Sequence, residues 1–333
     1  MQTTINGHSF PLQKGLFFLR NRWKAPKETR TDFSLGHLRP EKTGGYGPDF
    51  RAHCVLRDKD DYLDLVPWLF IPVEGTDNQF YLRSHWNGKP VYLNQKEIID
   101  QDPDEIIHGS PGQHLSFWQK EIQLYPEDNV DDLTPWEFTP VDGSDCDFHI
   151  RNQWRAPDEK RVGMHLSFKG HQALLYPKDN TADLTPWRLV PARLSQEEVT
   201  SIIRNDLKDQ LASNVKISLA DRYYYTPSVT HVKDICSVSR VNNKRWLSER
   251  YDCDDFAISL KRDFAYDAYH NLEYTGAHAF GILWGTYGEG GHAVNWFIGD
   301  DLKLRIVEPQ NDSIYTPDSD EGQKFSNIYF INA

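Results

Sequence analysis

At 333 residues the chain is long enough for two domains with cores of their own. Its net charge is −12, from 49 acidic against 37 basic residues. With no basic run standing out, nucleic acid and anionic membrane surfaces are poor partners. No apolar stretch nears the ~20 residues that span a bilayer, which argues against membrane insertion.

The first residues, Met1 to Gly7, have neither the basic start nor the apolar run of a signal peptide. The expected location is cytoplasmic, or external by a route without a signal peptide. Cys54, Cys146, Cys236 and Cys253 are scattered, with no Cys-x-x-Cys spacing for zinc or redox work. That usage suits a reducing compartment, and the first three read as structural thiols.

The N-terminal half is internally repeated. Residues 112–136 and 163–187 match at 15 of 25 positions without a gap, sharing Gly-x-His-Leu-Ser-Phe and a later Leu-Thr-Pro-Trp. A diverged first copy ends in Val66-Pro67-Trp68. Each copy opens on a related strand: Leu19 to Trp23, Leu82 to Trp86 and Ile150 to Trp154. Three copies, at about 15–75, 79–143 and 147–193, predict an all-β β-trefoil over residues 1–193. Each unit alone leaves an apolar face that only its neighbours can cover. The repeated Trp68, Trp136 and Trp187 read as core. The Gly-, Pro- and Asp-rich stretches 40–49 and 101–111 read as surface loops.

Asp128-Asn129 and Asp179-Asn180 follow Tyr-Pro in the second and third copies. Asx-turn chemistry alone accounts for such pairs. In the first copy, however, the matching stretch becomes Arg57-Asp-Lys-Asp-Asp61, which tips the reading toward two glycan sites. His114 and His165 are their expected neighbours. An aromatic content of 13% suits sugar stacking as well as core packing.

Ser195-Gln-Glu-Glu198 is a capping box. The stripe Val199, Ile202, Ile203, Leu207 and Leu211 then predicts a helix linking the halves. The second domain, residues 194–333, is expected to be α+β and papain-like. Its Tyr223–Tyr225 run leads to Cys253, Ala257, Leu260 and Phe264, an amphipathic helical spacing with Asp252 as cap. That places Cys253 in the first turn, where unpaired backbone N–H groups favour the thiolate. Asp252, Asp254 and Asp255 oppose its ionisation. Three explanations stand: His292 compensates as imidazolium, a Ca²⁺ ion sits on the aspartates, or they are a solvated helix start.

His292 opens a predicted strand running to Ile298, and Leu302 to Glu308 a second, with Gly299-Asp300-Asp301 as the turn. A three-residue loop sets His292 directly opposite Glu308, within carboxylate–imidazole reach. Cys253, His292 and Glu308 then stand in the Cys, His, acid order of papain-like enzymes. His278 competes with His292 for the role of base.

Residues 215–333 resemble the papain-like domain of mushroom chimerolectins of the Marasmius oreades agglutinin type, in which a β-trefoil lectin is joined to a cysteine peptidase domain. The match rests on Cys253, His292 and Glu308 in order and near spacing, with Gln310 two residues after the acid and Trp246 seven before the thiol. The resemblance implies that Gln310 and Trp246 belong to the active site, that Ca²⁺ is required and that the domain forms a homodimer. It also implies a toxic or defensive role, with glycoconjugates and a protein substrate as partners. Leu247 stands where ordinary papains have their oxyanion-hole glutamine. The candidate donors are then the Cys253 backbone N–H with the Trp246 indole or Gln310. No Gln-x-Trp signature supports the lectin half, so sugar specificity is open. A transglutaminase-like acyl transferase and a bivalent lectin with a merely dimerising C-terminal domain are the rival readings.

Overall fold

The computed structural model describes residues 1–5, 7–12, 16–22, 33–37, 54–57, 66–84, 114–118, 120–125, 133–154, 162–177, 184–270 and 276–333. They divide into two compact units, Met1–Thr4 with Ser9–Val190, and Ile5–His8 with Pro191–Ala333. No helix among the described residues is long and apolar enough to cross a membrane.

After a short hairpin, β1 (Gln2–Ile5) and β2 (His8–Pro11), the first unit sets four strands in each of three repeats. These are β3 (Leu16–Asn21), β4 (Ser34–His37), β5 (Cys54–Arg57) and β6 (Trp68–Pro72); β7 (Gln79–Ser84), β8 (His114–Trp118), β9 (Glu121–Tyr125) and β10 (Trp136–Pro140); and β11 (Asp147–Asn152), β12 (His165–Lys169), β13 (Gln172–Tyr176) and β14 (Trp187–Pro191). The fourth strand of one repeat is a hairpin with the first strand of the next, Trp68 facing Ser84 and Trp136 facing Asn152. The third strands meet across repeats, β13 pairing with both β5 and β9.

The repeated tryptophans explain this symmetry. Each indole is fully buried, and each donates from Nε1 to a carbonyl in the second strand of its own repeat. Trp68 reaches Leu35 O at 3.0 Å, Trp136 reaches Leu115 O at 2.9 Å and Trp187 reaches Leu166 O at 2.9 Å. The bonds satisfy the one polar atom of a side chain that otherwise fills the centre of its repeat. Phe17, Phe70, Phe80, Phe138 and Phe148 join the repeats in a chain of edge-to-face and tilted rings.

In the second unit, β15 (Leu194–Ser195) leads to α1 (Gln196–Asp206), whose capping box is formed by Ser195 and Glu198. Val199, Ile202 and Ile203 are its buried face. The expected stripe runs too far: Leu207 caps the helix, and Leu211 opens β16 (Leu211–Ser218). The helix belongs to the second unit. There follow β17 (Tyr223–Tyr225), α2 (Val229–Ser239), α3 (Cys253–His270), β18 (Ala277–His278), β19 (Phe280–Tyr287), β20 (Gly290–Ile298), β21 (Leu304–Glu308), β22 (Ser313–Tyr315) and β23 (Phe325–Asn332). The main sheet runs β16-β23-β19-β20-β21-β22, and β15-β17-β18 form a smaller one.

Helix α3 lies on β19 and β20 through Phe256, Ala257, Leu260 and Phe264. Burying four such side chains contributes several kcal/mol. Gly281 of β19 is required by close approach, since a Cβ there would lie 1.9 Å from Asn332 O and 2.7 Å from the Trp296 indole nitrogen.

Candidate active site

Cys253 begins α3, as its spacing predicts, with Asp252 at the cap position, where its carbonyl accepts the Phe256 N–H at 3.1 Å. Asp255 Oδ2 accepts the Asp252 N–H at 3.2 Å, so Asp255 closes the first turn from within. The Asp252 carboxyl instead shares a hydrogen bond with Asp254. That bond, then burial and the neighbouring carboxylate charge, raises the Asp254 carboxyl above its usual range. Asp252, Cys253 and Asp254 bring their donor atoms within 4.8 Å of one another.

The thiol is half-buried and packs against the cluster of Ala257, Ile282 and Ala293. Burial raises its pKa, and Asp252 and Asp254 add to that rise. The backbone N–H groups of Ala293 and Asp254 act the other way by hydrogen bonding to the sulfur. Ala293 directly follows His292, so this bond brings the thiol to the His292–Ala293 peptide.

On the other side of the imidazole, His292 Nε2 lies 2.8 Å from Glu308 Oε2, with both side chains mostly buried. The register differs from the expected one. Asn295 faces Val307 and Ile298 faces Leu304, so Glu308 is diagonal to His292 and the loop spans 299–303. Because the shift is by two residues, both side chains stay on one face. Glu308 Oε1 accepts the Gln310 backbone N–H at 3.2 Å, which occupies the second carboxylate oxygen. The rings of Tyr287 and Phe325 wall the imidazole at 5.5 and 6.0 Å. With Nε2 committed to Glu308, Nδ1 is the nitrogen available to a thiol.

Trp246 is 51% exposed, next to the tight loop in which Leu247 and Tyr251 exchange backbone hydrogen bonds. His278, the competing base, is buried and turned to Asp267, with Nε2 2.7 Å from Oδ2. Asn295 is a participant that the sequence did not single out. Its Nδ2 joins the Ala257 and Gly281 carbonyls, tying β20 to the helix that carries the thiol.

In the first unit, Asp128, Asn129, Asp179 and Asn180 lie outside the described residues, as do the loops 40–49 and 101–111. His114 and His165 occupy equivalent places, facing Arg83 and Arg151. His114 is only 4% exposed; burial, with Arg83 adding, lowers its pKa to about 4. His165 is half-buried and edge-on to His149.

Residues 224–314, which include Cys253, His292 and Glu308, match the family model described as Agglutinin C-terminal. No curated protein matches the chain. Two solved structures share the fold across nearly its whole length. One is a PSL1a–E64 complex, 17% identical, with 97% of this chain and 100% of that chain covered and a TM-score of 0.58. The other is the Polyporus squamosus lectin bound to the human-type influenza-binding epitope Neu5Aca2-6Galb1-4GlcNAc, with the same identity and coverage and a TM-score of 0.59.

Proposed function

We propose that this protein is a glycan-binding lectin of β-trefoil fold joined to a papain-like cysteine endopeptidase. The observation that carries the catalytic reading is the His292 Nε2–Glu308 Oε2 bond at 2.8 Å, with the Cys253 sulfur at the adjoining Ala293 N–H. The lectin reading is supported by the fold shared with the sugar-bound Polyporus squamosus lectin and by the Agglutinin C-terminal match.

In this mechanism His292 Nδ1 takes the Cys253 proton and the thiolate attacks the scissile carbonyl carbon. The imidazolium then returns the proton to the leaving amine, and water, deprotonated by His292, frees the acyl group from sulfur. Glu308 holds the ring orientation through Nε2. The Ala293 and Asp254 N–H groups only partly counter the burial and the Asp252 and Asp254 charges, so the thiol pKa stays raised on balance.

Asp252 and Asp254 fit a hard cation such as Ca²⁺, because two carboxyls that share a hydrogen bond form an oxygen donor set whose mutual repulsion an ion relieves. Bound there, it would supply positive charge beside the thiol. Asp128-Asn129 and Asp179-Asn180 are the proposed sugar contacts. A lectin half raises the local concentration of the enzyme at glycosylated surfaces without altering the chemistry.

The test is casein cleavage with and without Ca²⁺ by wild type and Cys253→Ala, with both proteins run on a glycan array. Calcium-stimulated cleavage lost in the variant, with sugar binding kept in both, supports the reading. Sugar binding by both with cleavage by neither overturns the peptidase assignment and leaves a lectin.

A further inference from the structure

Three side chains remote from Cys253 converge in the second unit. His231 lies in the first turn of α2, where its N–H bonds to the capping Ser228 Oγ at 3.1 Å. Asp267 is near the end of α3, and His278 closes β18, held in register opposite Tyr225 of β17. His231 Nε2 is 3.2 Å and His278 Nε2 2.7 Å from the same oxygen, Asp267 Oδ2. Both imidazoles are buried.

We propose that His231, Asp267 and His278 bind one divalent transition-metal ion, with zinc the best fit. Two imidazole nitrogens and a carboxylate oxygen are a borderline-soft donor set. It suits Zn²⁺ and is wrong for Ca²⁺, which takes oxygen ligands. The convergence of both rings on one oxygen separates this knot from ordinary core hydrogen bonding, which one ring on each carboxylate oxygen would serve. All three donor atoms lie within 4.8 Å of one another. Donors around a tetrahedral zinc, at bonds of about 2.0–2.1 Å, stand about 3.3 Å apart. The observed separations of 2.7 and 3.2 Å therefore need only a slight opening of the cluster.

Aromatic rings enclose the group, with Tyr225 at 5.6 Å and Phe264 at 5.4 Å from His278. The ion would clamp α2, α3 and β18 together. Asp267 is fourteen residues along α3 from Cys253, or about 21 Å, so the site is structural and does not depend on the peptidase reading.

The experiment uses the full-length chain carrying Cys253→Ala, which removes the reactive thiol as a competing zinc ligand. After chelator treatment it is titrated with Zn²⁺, and with Co²⁺ as a spectroscopic probe, alongside Asp267→Asn and His278→Gln on the same background. One equivalent should bind, raise Tm and resist displacement by excess Ca²⁺. Either added substitution should weaken zinc by at least about 100-fold. Should those variants fail to fold, zinc-edge anomalous scattering from Cys253→Ala crystals decides. A peak among His231, Asp267 and His278 supports the site. No stoichiometric binding, or a peak only at Asp252 and Asp254, overturns it.

Discussion

Asn295 on β20 donates from Nδ2 to the carbonyl oxygen of Ala257, one turn into α3, at 2.9 Å, and to Gly281 O at 3.1 Å. The side chain is fully buried, so these bonds face no competition from water. Since Ala257 lies one turn beyond Cys253, the amide sets the depth at which the thiol meets the His292–Ala293 peptide. Asn295→Ala should cost about 1–3 kcal/mol in unfolding free energy, by removing two buried hydrogen bonds and leaving a void between β20 and α3. It should also lower kcat with little change in KM, because no contact with substrate is removed. An unaltered kcat in a folded variant would reduce Asn295 to a stability residue.

Glu308→Gln tests the imidazole's orientation separately from the thiol. The amide keeps the size of the carboxylate but not its charge, and it can present an N–H to Nε2 and reverse the tautomer. Cleavage should fall roughly 100-fold or more. Alkylation of Cys253 by iodoacetamide near neutral pH should slow in parallel, while glycan binding stays unchanged. Equal alkylation rates in the two proteins would mean that Glu308 does not act through His292.

The three indole bonds of the first unit should be energetically equivalent. Trp136→Phe and Trp187→Phe each delete a buried donor, orphan a carbonyl and leave a void, at about 2–4 kcal/mol. Urea unfolding of the two variants should give midpoint losses of similar size. A much smaller loss at one position would show that its repeat relaxes around the change.

The tryptophans were legible because three copies in one chain reveal which apolar positions recur, and recurring ones in a closed array must face its centre. The face shared by His292 and Glu308 was legible from strand alternation, but their register was not. The turn closes through Leu302 with φ 57°, a left-handed backbone that leucine seldom adopts. Gly299 N–H bonds to Lys303 O, giving a longer loop than Gly-Asp-Asp alone implies. His231, Asp267 and His278 come from three elements with no motif spacing, so only the fold could assemble them. Asn295 was hidden for the same reason: within a run of buried strand residues, nothing local marks an amide that bonds to a helix.

A pH dependence follows from Asp147 and Arg188 in the first unit. The guanidinium is bidentate, Nε to Oδ1 at 2.7 Å and Nη2 to Oδ2 at 2.9 Å. Burial alone would raise the Asp147 pKa, but the Arg188 hydrogen bonds and charge outweigh it and the net direction is downward. A carboxyl depressed in the folded state binds its proton more readily when unfolded. Its stabilisation is therefore complete above the unfolded value, near 3.9, and is lost as pH falls through the lower folded value. Asp147→Asn should cost about 1–2 kcal/mol at pH 7, where one charge-assisted partner is lost and the site is partly exposed. The gap in Tm between the two proteins should hold from pH 7 to about 5, begin to narrow near pH 4 as the unfolded chain takes up the proton, and close once pH falls below the depressed folded value, where the wild-type carboxylate is itself neutralised. A gap that persists at pH 2 would assign the loss to packing rather than to the ion pair.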